Sequence, residues 1–108
     1  ARGAKRVLVS KNRGALLVLP SGEEVDFASS PALRQLVEVL LAAHLAGRQV
    51  NADEILKALW PTEKPIGTSG RNRIYVLFNR LRKLGLREII EHVPSGWRLA
   101  PDLAVETR

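Results

Sequence analysis

Between Arg71 and Leu84 the residues Ile74, Leu77, Phe78, Leu81 and Leu84 return at steps of three and four, the spacing that gathers side chains into one stripe along an α-helix. Such a helix cannot bury its stripe alone, so the remainder of a 108-residue chain has to supply the covering surface. The opposite side carries Arg73, Val76, Asn79, Arg80 and Lys83, flanked by Arg71, Asn72, Tyr75 and Arg82: five cations, two amides and no acid. Like charges at i, i+3 or i+4 repel by roughly 0.2–0.5 kcal/mol each. With no acid to relieve that repulsion, a polyanion is the natural counter-charge. A merely solvated basic face is the plainer alternative, and for an isolated basic helix it is the better one, so the surrounding elements have to decide.

Those elements are legible from breakers and periodicity. Arg6–Ser10, a Gly-containing turn at 11–14, and Ala15–Leu19 read as two strands; Pro20-Ser-Gly22 turns into Glu23–Phe27, where Val25 and Phe27 alternate with polar residues. This predicts a small N-terminal antiparallel sheet. Ser30 before Pro31 predicts a helix start, the serine oxygen capping and proline filling the first turn; Leu33, Leu36, Val37, Leu40 and Leu41 follow at helical spacing up to Gly47, a left-handed stop. Asn51 with Glu54 three residues on is a capping-box pattern ahead of Ile55, Leu56, Leu59 and Trp60, ended by Pro61. Residues 62–70 are turn chemistry throughout, with Ser69 a candidate cap for a third helix from about Gly70 or Arg71 to Leu84 and Gly85 as its exit. Ile89–Val93, Pro94-Ser-Gly96 and Trp97–Leu99 make a hairpin, and Pro101 is expected to close the ordered part.

The totals narrow the function. One domain with one core is expected at this length, with 45% apolar and 26% charged residues. Seventeen Lys and Arg against eleven Asp and Glu give a net charge of +6, which favours an anionic partner without choosing one. The charge is lopsided, since Lys64, Arg71, Arg73, Arg80, Arg82, Lys83 and Arg87 lie between Glu63 and Glu88 with no acid among them. Cysteine is absent and the two histidines, His44 and His92, are far apart, so no disulfide, thiolate metal site, metal centre or cofactor is expected. No apolar run approaches bilayer length and residues 1–6 lack a signal peptide's apolar stretch, so a cytoplasmic protein without membrane contact is expected. The absence of methionine, even at position 1, suggests a piece excised from a longer protein. Glu23, Glu24, Glu54 and Glu63 are accounted for by strand edges, capping and loop solvation, and no Ser-His-Asp or paired-acid arrangement is visible, so neither enzymatic activity nor a small-molecule substrate is expected.

A helix, a turn-rich loop, a basic helix and a hairpin follow one another in the order of a helix-turn-helix with a wing. The residue types suit duplex DNA: Arg73 and Arg80 to guanine, Asn79 to adenine, Val76 to a thymine methyl, and Arg71, Asn72, Tyr75, Arg82 and Lys83 to phosphates. Trp60 and Trp97 have core roles available, with the indole ring buried and its N–H outward. Arg80-Leu-Arg-Lys83 closing the third helix, followed by Gly96-Trp-Arg-Leu99, and the second anchor Asn51-Ala-Asp-Glu-Ile-Leu-Lys-Ala-Leu-Trp60, resemble the OmpR/PhoB-type winged helix of bacterial response-regulator effector domains. They are also similar to the DNA-binding module of actinomycete antibiotic regulatory proteins. The resemblance covers about Arg6 to Leu99. It implies an α+β fold with an N-terminal antiparallel sheet, a three-helix core and a C-terminal β-hairpin wing, the third helix lying in the major groove. It also implies base contacts from Arg73, Val76 and Arg80, and phosphate contacts from Trp60, Arg82 and Trp97. Ser95 and Arg98 would belong to the wing. The chain departs from the family pattern at the wing tip, which has no Arg, at Tyr75, where an acid is common, and at Ala52, where a base is frequent.

The expectation is therefore a domain over residues 6–100, between a flexible basic segment or linker (1–5) and a C-terminal tail (101–108). It would bind double-stranded DNA sequence-specifically in transcription regulation, as two copies on neighbouring half-sites. A winged helix used for protein contact, within a larger regulator or with RNA polymerase through the 62–70 loop, is the alternative; the acid-free helix face argues against it. RNA binding has less support, because no sheet of stacking aromatics is evident.

Overall fold

Proline at position 31 lacks an N–H that the first helical turn would leave unpaired in any case, and its fixed φ suits that turn. Helix α1 runs from there, Pro31–Leu45. In the computed structural model, which describes residues 6–11, 15–60 and 68–108, α1 buries Leu33, Leu36, Val37, Leu40, Leu41 and Ala43. Ser30 holds the N-cap position, but its side chain makes no cap hydrogen bond, which corrects the sequence expectation. Its N–H is engaged by the Phe27 carbonyl at 2.9 Å, and its ψ of 79° falls short of the extended geometry (ψ 172°) from which Asn51 caps the next helix. At the other end Gly47 adopts φ +72°; its N–H donates to the His44 carbonyl and that of Arg48 to the Ala43 carbonyl, the paired bonds of a left-handed helix stop.

Helix α2, Ala52–Leu59, is short enough to depend on its cap, and the Asn51 Oδ1 accepts the Glu54 N–H at 2.9 Å. The Glu54 carboxylate in turn receives Arg48 at 2.7 Å. Helix α3 covers Thr68–Lys83, beginning before the Gly70–Arg71 start expected from turn propensity and taking Ser69 into the helix. One glycine costs a helix about 1 kcal/mol relative to alanine, which the buried face of a 16-residue helix outweighs. The loop expected at 62–70 is therefore helical over 68–70, and its remainder lies outside the described residues, as does the 1–5 segment. Ile74, Phe78 and Leu81 are fully enclosed and Leu77 nearly so. Leu84, expected on the same stripe, is corrected to an exposed position just past the helix, because Gly85 at φ +113° turns the chain away there into a 3-10 turn, Leu86–Glu88.

Strands β1 (Arg6–Lys11), β2 (Leu16–Val18) and β3 (Glu24–Asp26) are antiparallel neighbours. Their inward residues Leu8, Leu17 and Val25 are buried. A hairpin of β4 (Ile90–Val93) and β5 (Gly96–Leu99), joined by Pro94 and Ser95, packs against α1 through β5. Gly96, expected in the turn, is the first residue of β5. Val50 lies alongside, exchanging two 2.8 Å backbone hydrogen bonds with Trp97, so close that a Cβ at Gly96 would sit 1.8 Å from the Val50 carbonyl oxygen.

The end of the chain departs from expectation. Pro101 does not close the ordered part and residues 101–108 are not a tail: Leu103–Thr107 forms β6, parallel to β1, giving a mixed four-stranded sheet in the order β3-β2-β1-β6. The strand covers the edge of β1 that would otherwise present unpaired backbone. Three contacts hold it: Leu103 is buried, its carbonyl accepts the His44 Nε2–H at 2.6 Å, and Arg6 grips both oxygens of Asp102 at 2.8 Å. The molecule is thus α+β, with three helices framed by a mixed sheet and a hairpin.

Candidate nucleic-acid interface

Because one side of α3 is sealed into the core, its remaining residues divide by periodicity into a crest and two flanks. Asn72, Arg73, Tyr75, Val76, Asn79, Arg80 and Lys83 are all exposed, Val76 at 51%, and Arg82 is half-buried. Arg71 lies on the helix, its side chain outside the described residues. Arg73 and Arg80, seven apart, form the flank toward α2, where the Arg73 guanidinium stands 5.3 Å from the centroid of the Trp60 ring. Tyr75, Asn79 and Arg82 form the flank toward the hairpin, with the Tyr75 ring edge-on to Trp97 and His92. Arg82 reaches Asn79 Oδ1 at 3.4 Å, a long hydrogen bond that leaves its charge uncompensated. No carboxylate is among these residues, and an exposed valine sits between the cations.

The hairpin is held to α3 by stacked rings. Trp97 is sandwiched between Phe78, centroids 4.7 Å apart, and His92, 5.0 Å apart. The expectation of an outward indole N–H is corrected here: Trp97 Nε1 is buried and has no acceptor, so in this conformation it cannot donate to a ligand. Leaving such a donor unpaired costs about 1–3 kcal/mol, which the burial of a whole indole between two rings offsets. Trp60 is half-buried and packs its ring against the core.

At the hairpin tip, Ser95 is exposed and its Oγ receives Gln49 Nε2. Arg98 is committed across the strands to Glu91 at 2.9 Å, the residue opposite it in the register. The tip itself therefore presents no cation. One residue that the sequence reading did not single out joins the basic surface. Arg87, on the 3-10 turn after α3, lines an open cleft of about 620 Å³ together with Asn79, Arg82 and Lys83. Its only signal in the sequence is its place as the last cation of the acid-free run.

Groups whose ionisation is displaced lie elsewhere. On the sheet, hydrogen bonds from the Arg6 guanidinium hold the Asp102 carboxyl below its usual range, and the same contact raises Arg6. Among the described residues there is no group of three or more His, Cys, Asp or Glu able to hold a metal ion, and no helix long and apolar enough to cross a membrane. No family model matches the chain, and no curated protein matches it in sequence.

Proposed function

We propose that this chain is a winged helix-turn-helix domain that binds double-stranded DNA sequence-specifically, as the effector part of a transcription regulator of the bacterial OmpR/PhoB type that its sequence resembles. The observation carrying this reading is the outward face of α3, on which cations, amides and an exposed Val76 stand together without an acid. Solvation alone gives no reason to group them so. The major groove of B-DNA is wide enough for one helix, and a helix seated there needs donors that meet the base edges and positive charge that meets the bordering phosphates.

In this reading Arg73 and Arg80 donate paired hydrogen bonds to guanine, Asn79 pairs with adenine, and Val76 meets a thymine methyl. Asn72, Tyr75, Arg82, Lys83 and Arg71 address phosphates and set the register. Trp60 acts through Arg73, restricting the guanidinium from behind. Trp97 leaves the phosphate set, since its N–H is sealed; it anchors the hairpin as the wing instead. With Pro94 and Ser95 at the tip, the wing supplies shape and hydrogen bonding without charge. Two copies on adjacent half-sites would supply the affinity that one small interface lacks. The domain positions and does not catalyse.

The test is selection of bound sites from random duplex DNA, followed by retardation of the selected duplex at increasing salt. A preferred sequence should emerge, and log affinity should fall linearly with log salt, each neutralised phosphate adding about 0.9 to the slope. If no duplex is retained at low salt, or the dependence is flat, the reading is wrong.

A further inference from the structure

From the open cleft at the end of α3 we infer a seat for a DNA backbone phosphate, lined by Asn79, Arg82 and Lys83 on the helix and by Arg87 from the turn that follows. The inference rests on the duplex-binding reading above and adds a residue to it. Arg87 is four residues beyond the last residue of α3, and the chain has left the helix by then, at Gly85. Its φ of +113° is a backbone state that L side chains rarely adopt, so glycine turns the chain there, beside the Leu19 and Glu23 side chains. The 3-10 turn Leu86–Glu88 then buries Leu86 and leaves Arg87 exposed, on the same cleft as Arg82 and Lys83.

Three cations and an amide N–H donor line that cleft, and among the described residues the nearest carboxylates, Glu23 beside Gly85 and Glu88 next to Arg87, are not part of its lining. Among the described residues neither Lys83 nor Arg87 has an ion-pair partner. Cations brought together without an ion-pair partner repel one another, and a doubly coordinated anion relieves them; a phosphodiester oxygen pair matches the planar forks of two guanidiniums. The position fits the duplex as well. A helix in the major groove is bordered by a sugar-phosphate strand on each side, and the cleft lies on the flank of α3 that Tyr75 shares with the wing. Arg87 thus extends the wing-side phosphate contact beyond the end of the helix, and, standing on the turn past the helix, it carries no base information.

The experiment measures affinity for the selected duplex and for an unrelated duplex across a salt series, for the wild-type chain, R87Q, R87K and, as a remote control, R108Q at the end of the sheet. Arg87 is exposed, so the folded state is kept, which circular dichroism verifies. R87Q should weaken both duplexes alike, about eightfold near 0.1 M salt, and reduce the slope by about 0.9. R87K should keep the slope, and R108Q should match wild type. An R87Q slope equal to wild type overturns the phosphate seat while duplex binding stands. So does a loss confined to the selected duplex, or an R87K slope as shallow as that of R87Q. A wild-type chain that retains no duplex at low salt overturns the seat and the duplex-binding reading together.

Discussion

Trp97 lies face to face with Phe78, their ring planes 13° apart, so the hairpin and α3 share one aromatic column and cannot move independently. Phe78 is fully enclosed. Phe78→Ala should cost about 3–5 kcal/mol in urea unfolding, and a loss under 1 kcal/mol would show that the column does not hold the hairpin. Phe78→Leu, which keeps much of the volume but not the stacking, should fall between.

Two glycines should respond oppositely to the same change. At Gly96 a methyl group would collide with the Val50 backbone, so Gly96→Ala has to break the Val50–Trp97 pairing and should lower the melting temperature severely. At Gly47 the added atom meets nothing within 4 Å, and the cost reduces to the left-handed backbone, about 1–2 kcal/mol for alanine. Equal losses at the two sites would contradict the close approach.

The Arg6–Asp102 pair makes a prediction in pH. Asp102 is held below its usual range in the folded chain by the Arg6 hydrogen bonds, so the contribution is complete above the ordinary carboxylate range and is lost as pH falls through that range toward the lowered folded value. Arg6 is raised and contributes at every pH below its ordinary range. Asp102→Asn should therefore be less stable than wild type at neutral pH, with the difference shrinking as the solution is acidified. The pair is solvent-exposed, and salt should weaken the effect. A difference that stays constant from neutral to acid pH would rule the linkage out.

Within α3 two neighbouring cations should fail differently on DNA. Arg80 stands on the exposed surface of the helix, where the proposed reading has it meet base edges, and Lys83 is the last helical residue, on the cleft it shares with Arg87. Arg80→Ala should cost about 1–3 kcal/mol on the preferred site and relax discrimination at one base pair. Lys83→Ala should weaken all duplexes alike and reduce the salt slope by about 0.9. Equal loss of specific and non-specific binding in Arg80→Ala would reduce α3 to a backbone contact.

How much of this was legible in the sequence follows the range of each interaction. The stripe of Ile74, Leu77, Phe78 and Leu81, the Asn51 cap and the Gly47 stop depend on residues within a turn or two, and local spacing carries them. Strand β6 was not legible, because Leu103–Val105 is too short an apolar run to mark a strand and its partner lies at the other end of the chain. Arg87 was visible only as one more cation, since nothing local reveals that the reversal at Gly85 returns it to the flank of α3. The sealed Trp97 N–H was equally hidden, because the exposure of a single atom depends on how three rings from α3 and the hairpin stack.

The contact between Arg6 and Asp102 spans 96 residues, and with it β1 pairs with β6 across nearly the full length of the domain. During synthesis from the N-terminus the outer backbone of β1 therefore waits, unpaired, until residues 103–107 have been made. Such a long closure is slow, and an open strand edge accepts any extended segment that reaches it. A chain ending before Leu103 should keep its helices by circular dichroism yet self-associate in sedimentation. Strand β6 thereby serves as a seal against other copies, and the sheet is closed to them only once residues 103–107 are in place.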